Sequence, residues 1–159
     1  MSRISIVMST AMLAVLALPV NAAEQTLKQQ IQGAWSLVSC DAKTPICVNT
    51  SGSLSLNGNG RYTIVVAAKN RPRPTSAPDL TREAVSPDYY KSIAQGFAAN
   101  FGTWSVNEAD KTLTLHAEEA LFPTPAGGRD TKVTIVSVTA DEMKTSGQAI
   151  GNATYRRFK

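Results

Sequence analysis

The sequence predicts a mainly β fold. About eight antiparallel strands close into an up-and-down barrel, with a short N-terminal helix and one longer helix inserted before a strand that opens around Gly102 and Trp104. Three observations carry this reading. Short segments of alternating polar and apolar residues follow one another with turn residues between them, as in half-buried strands. Asn57-Gly58-Asn59-Gly60 is a strong hairpin signal between two such segments. Helical spacing of apolar residues occurs in two places alone. At 159 residues the chain fits one domain. That length lets a chain bury roughly two-thirds of its unfolded surface, so a metal is not needed for folding.

Composition excludes several classes. Sixteen basic against twelve acidic residues give a mild net charge of +4. The basic residues are scattered, so nucleic acid is not an expected partner. One histidine and two cysteines are too few for a convincing zinc motif, and neither metal nor cofactor is expected. Collagen, coiled-coil and disordered compositions are absent.

Residues 1–22 read as a signal peptide, and the domain is expected over 23–159. Arg3 precedes an apolar run that Pro19 interrupts, and Val20-Asn21-Ala22 supplies small residues for cleavage after Ala22 or Ala23. The unbroken run is shorter than the about 20 residues that span a bilayer, so no membrane span is expected after cleavage. Loss of Arg3 leaves a mature charge of +3. Export to the periplasm or the outside changes the meaning of Cys40 and Cys47. They flank a turn-like segment, lack C-x-x-C spacing, and are expected to form a structural disulfide.

Leu27 and Ile31 among polar neighbours predict the opening helix, which Gly33 ends. Residues 35–40 predict the first strand, the segment around Leu54 and Leu56 the second, and 62–68 the third, with Tyr62, Ile64 and Val66 on one face. Three prolines and three arginines between 70 and 85 predict a long loop. Ser86-Pro87-Asp88 begins the longer helix, in which Tyr90, Ile93, Ala94, Phe97 and Phe101 recur at helical spacing up to Gly102. Strands are then expected at 103–106, 112–119, 132–139, 142–146 and 153–158, with a Pro/Gly loop at 123–130. Gly33-Ala34-Trp35-Ser36 is echoed by Gly102-Thr103-Trp104-Ser105, and these hold both tryptophans.

Gly33-x-Trp35 opening the first strand after a helix resembles the lipocalin signature. Arg71-Pro72-Arg73, Asn100-Phe101-Gly102-Thr103-Trp104, the segment from Thr112 to His116 with Glu118, and Leu121-Phe122-Pro123 together resemble the bacterial lipocalin-like domain family. The similarity runs from Ile31 to Phe158 and implies a calyx-like barrel without implying a defined activity. The chain departs from the family pattern after Phe122-Pro123. Thr124 and Pro125 stand where an asparagine and an aromatic are common, and the next strand carries Thr131, Lys132 and Thr134. The resemblance also implies that an arginine of the last strand, Arg156 or Arg157, packs across Trp35. Gly33, Trp35 and that arginine are therefore structural candidates, and Trp35 is expected to be buried at one end of the barrel.

Two functions fit the residues. The favoured one is a binding module that holds a small hydrophobic or amphipathic ligand, with Tyr62, Tyr90, Phe97, Trp104, Arg71, Arg73 and Tyr155 as candidate ligand contacts. The alternative is a cofactor-independent isomerase, cyclase or lyase. His116 is the sole imidazole and shares a strand face with Glu118, so the two would form an acid–base pair if that face lined the cavity. Leucines alternate with His116 and compete for the same interior. No serine sits in a nucleophile elbow, so a Ser/His/Asp hydrolase is not expected.

Overall fold

In the computed structural model, the described residues are 25–41, 47, 49–71, 86–122, 125–148 and 151–159, with the side chains at 89, 90, 92 and 93 excepted. The expected signal segment 1–22 lies outside them. Eight strands run in chain order around one closed barrel: β1 (Gly33–Cys40), β2 (Thr50–Leu56), β3 (Arg61–Ala68), β4 (Phe97–Asn107), β5 (Thr112–Ala120), β6 (Arg129–Val138), β7 (Glu142–Gly147) and β8 (Gly151–Arg157). Each pairs antiparallel with the next, and β8 returns to β1 with Trp35 opposite Arg157. Helix α1 (Leu27–Ile31) precedes β1, and α2 (Pro87–Gln95) lies between β3 and β4. The expected eight-stranded barrel is therefore the fold.

Two boundaries move. The helix expected to run to Gly102 stops at Gln95, and β4 starts at Phe97. Phe97 to Thr103 pair with β3 from Ala67 back to Arg61. Without this partner β3 would leave a row of main-chain donors and acceptors unpaired, a larger cost than helix propensity recovers. Gly102 consequently lies inside a strand rather than at its start. A Cβ there would collide with the His116 carbonyl oxygen of β5, so glycine permits the bulged approach of β4 to β5. Likewise β6 begins at Arg129, inside the expected 123–130 loop, because His116, Ala117 and their neighbours on β5 need partners there.

One barrel end is stoppered. Thr26 caps α1 with Gln29 in a reciprocal capping box. Glu108, in the β4–β5 turn, accepts from the main-chain N–H groups of Leu27 and Lys28 and ties the helix start to the barrel. Trp35 is wholly buried (0% exposed), and its Nε1 donates to Ile31 O at 2.7 Å. The Arg157 guanidinium lies 4.0 Å from the Trp35 ring centroid. It also donates to Gln30 O and Gln32 O, carbonyls at the end of α1 without a helical partner, and to Ala140 O in the β6–β7 turn. Arg156, the other candidate, is exposed. Gly33 has φ +129°, and a Cβ there would sit 2.6 Å from Arg157 Nη1. Trp104 marks the same end, with its Nε1 donating to Asn57 O and Lys28 over its ring. The tryptophan echo thus reflects two indoles, each tied to a carbonyl and faced by a cation.

The core is graded. Near the stopper the inward side chains are large: Trp35, Leu54, Leu56, Leu113, Ile135 and Met143 are fully buried. Toward the other end they shrink to Thr50, Ala68, Ala117, Thr145 and Ala153. The Cys40–Cys47 disulfide is present at that end, and Cys40 packs on the core. Among the described residues no helix is long and apolar enough to cross a membrane.

Trp35→Ala is expected to lower unfolding free energy in urea by about 3–5 kcal/mol, as large buried aromatics do. Arg157→Ala should cost about 2 kcal/mol, since partly solvated charge-assisted bonds are lost rather than core volume. A Trp35→Ala midpoint equal to the parent's would refute the stopper.

Candidate functional site

The barrel has two unlike ends. The β2–β3, β4–β5 and β6–β7 turns and α1 lie at the stoppered end. The β1–β2, β3–β4, β5–β6 and β7–β8 connections therefore surround the opposite one. Alternation along each strand decides what faces inward beneath those connections.

Tyr62 is the inner-wall residue with the fullest environment. It is buried, and its hydroxyl donates to Asn100 Oδ1 at 2.6 Å. The register places Tyr62 opposite Gly102, Gly102 opposite Ala117, and Ala117 opposite Arg129. One level of the wall thus runs across β3, β4, β5 and β6 as phenol, two very small residues, and guanidinium. Burial pushes the Tyr62 phenol up to about 12; the Arg129 charge opposes this and the Glu118 charge reinforces it. Tyr155 is 3% exposed on β8, and burial pushes its phenol up further. Thr145 on β7 is also 3% exposed, lies on the inward face of its strand with Met143, and its Oγ1 has no hydrogen-bond partner among the described residues.

The other candidate contacts divide. Arg71 donates from Nε to Ala68 O and lies 5.0 Å over the half-buried ring of Phe97, so the two form one stacked rim element. Trp104 lies at the stoppered end, where its Nε1 donates to Asn57 O. Arg73 and the Tyr90 side chain lie outside the described residues.

The catalytic pair expected in the cavity is corrected by the geometry. Leu113, Leu115 and Ala117 take the inward positions of β5, so His116 points outward with its side chain 41% exposed. Its Nδ1 is 2.7 Å from Asp130 Oδ1 on the adjacent strand. Glu118 receives two hydrogen bonds from Arg61, at 2.6 and 2.8 Å, on the outer surface. The Arg61 guanidinium holds the Glu118 carboxyl below its ordinary value. An acid–base pair within the barrel is not formed, because apolar residues win the interior when a strand alternates. Among the described residues no group of three His, Cys, Asp or Glu side chains could hold a metal.

Sequence reasoning overlooked Arg129, Asn100 and Thr145. Arg129 follows Gly127-Gly128 and read as loop, and Asn100 read as helix terminus. Thr145 sits in a short strand where a threonine fits either face.

A small up-and-down barrel with one closed end belongs to the class whose interior is filled by side chains or holds one small ligand. Within that class, the chain belongs to the lipocalin-like domain family, whose model matches residues 32–155. A search of curated proteins finds no match to the chain.

Tyr62 is expected to ionise near pH 12, later than an ordinary tyrosine, when phenolate absorbance is followed in alkali. Its raised value gives stability that is full below about pH 10, where unfolded tyrosine begins to ionise, and lost as pH rises through the folded value. Arg129→Gln should move this titration higher still. An unmoved titration would place Arg129 away from the phenol.

Proposed function

We propose that the protein is exported and holds a small apolar or amphipathic ligand in the barrel interior, reached from the end opposite α1. The observation that carries this reading is the buried Thr145 hydroxyl, which has no partner among the described residues and lies with inward-facing small residues. A buried hydroxyl without a partner costs about 1–3 kcal/mol, and a barrel filled for stability alone would place an apolar residue there. A ligand polar atom supplies the missing partner. Alanines at 68, 117 and 153 leave the interior shallow-walled at the same end. The apolar start of the chain and the Cys40–Cys47 disulfide support export.

The neutral fluorophore N-phenyl-1-naphthylamine, titrated into the mature chain, should bind saturably at one site. Thr145→Val should leave the ligand-free barrel equally stable, or more stable by up to about 1 kcal/mol, because it removes the orphaned hydroxyl at constant shape. Absence of saturable binding, to this probe and to a panel of lipophiles, would overturn the reading. N-terminal sequencing of the protein from its own host should begin at Ala23 or Glu24. Retention of Met1 would refute export.

A further inference from the structure

We infer that the barrel selects ligands bearing a carboxylate, and that Arg129 is the residue that recognises it. This rests on the ligand-holding reading above and adds the chemical class of the ligand. Arg129 stands at the first position of β6, opposite the buried Ala117, on the same face as Thr131, Val133 and Ile135. Deeper along β6 that face is the interior, where Val133 and Ile135 are buried, and Arg129 itself is exposed at the rim. Its neighbour Asp130 points the other way, to His116, and Glu118 is engaged by Arg61. Among the described residues Arg129 forms neither an ion pair nor a hydrogen bond. A permanently charged fork therefore lines the wall with no acid facing it from β5 or β6.

The surroundings fit an oxyanion with an apolar tail. Gly102 and Ala117 stand between Arg129 and Tyr62 along the wall, so little side-chain bulk separates the guanidinium from the phenol. The Tyr62 hydroxyl, already donating to Asn100, keeps an acceptor role, and the Asn100 amide offers donors beside it. Toward the stoppered end the inward residues of β5 and β6 are apolar: Leu113, Leu115, Val133 and Ile135. A carboxylate at the rim would meet Arg129 in a bidentate pair, while its tail ran toward the stoppered end.

The barrel wall also opens beside Arg129. β6 first meets β7 at Thr134 opposite Ser146, so its residues from Arg129 to Val133 lack a described strand partner on that side. A groove of about 840 Å³ runs along this edge and includes Arg129, Thr131 and Val133 together with Asp130, whose carboxylate is held by His116, and Lys132. It brings solvent to the guanidinium. The charge therefore stays hydrated in the empty barrel and exchanges that water for a carboxylate on binding, which avoids the cost of a buried unpaired cation.

The test is displacement of N-phenyl-1-naphthylamine by oleate and by oleyl alcohol, which share a chain and differ in the head group. The mature wild-type protein should bind oleate about tenfold more tightly than the alcohol, or better, as a charge-assisted pair predicts. Arg129→Gln should erase that preference, with an unchanged urea midpoint showing that the variant is folded. Arg129→Lys should restore part of the preference. Lys132→Gln, an outward-facing neighbour, should leave it intact. Equal binding of oleate and alcohol by wild type, or a preference that survives Arg129→Gln, overturns the inference while the ligand-holding reading stands. Failure of the fluorophore to bind at all overturns both.

Discussion

The stack of Arg157 on Trp35 joins the first and last strands to the opening helix, and the rest of the barrel depends on it. An indole at this position plugs the barrel end with a large apolar surface but also brings an N–H that must be satisfied. Ile31 O satisfies it. The helix that supplies this carbonyl is five residues long and would not persist alone in water. Its free carbonyls are bound by Arg157, and its free N–H groups by Thr26 and Glu108. Closure of β8 on β1 thus stabilises α1, and α1 covers the end of the barrel that closure creates.

Stoppering one end determines where chemistry is possible. Large residues occupy the covered half, so space and polarity are displaced toward the other end. There the wall carries Thr145, Asn100, the Tyr62 hydroxyl and Arg129, separated by alanine and glycine. The gradient follows from packing. A barrel of this size is filled by large inward side chains, and a vacancy for a ligand requires that some of them be small.

The outer face of β5 shows the same rule from the other side. His116 and Glu118 have the chemistry of an acid–base pair, and they face water because leucine and alanine alternate with them. Each then finds a partner on the outer surface, Asp130 on adjacent β6 for His116 and Arg61 on β3, across β4, for Glu118. Exposed pairs of this kind contribute little to stability, and they sit outside the cavity in which catalysis would need them.

Several features are determined by the sequence alone. Period-two alternation and the Asn57-Gly58-Asn59-Gly60 turn specify antiparallel strands, and Gly33-x-Trp35 after a helical segment marks the start of the first strand. Two cysteines around a turn specify their bridge. These signals are legible because each arises within a few residues. What the tertiary structure decided involves partners far apart in the chain. The end of α2 and the start of β4 were set by β3's need for a partner, against helical spacing that continues to Phe101. The face of His116 was set by competition for one interior. Arg129 became a wall residue because β5 pairs with what read as a loop. Its placement on one level with Tyr62 comes from the register of four strands, which no local pattern encodes.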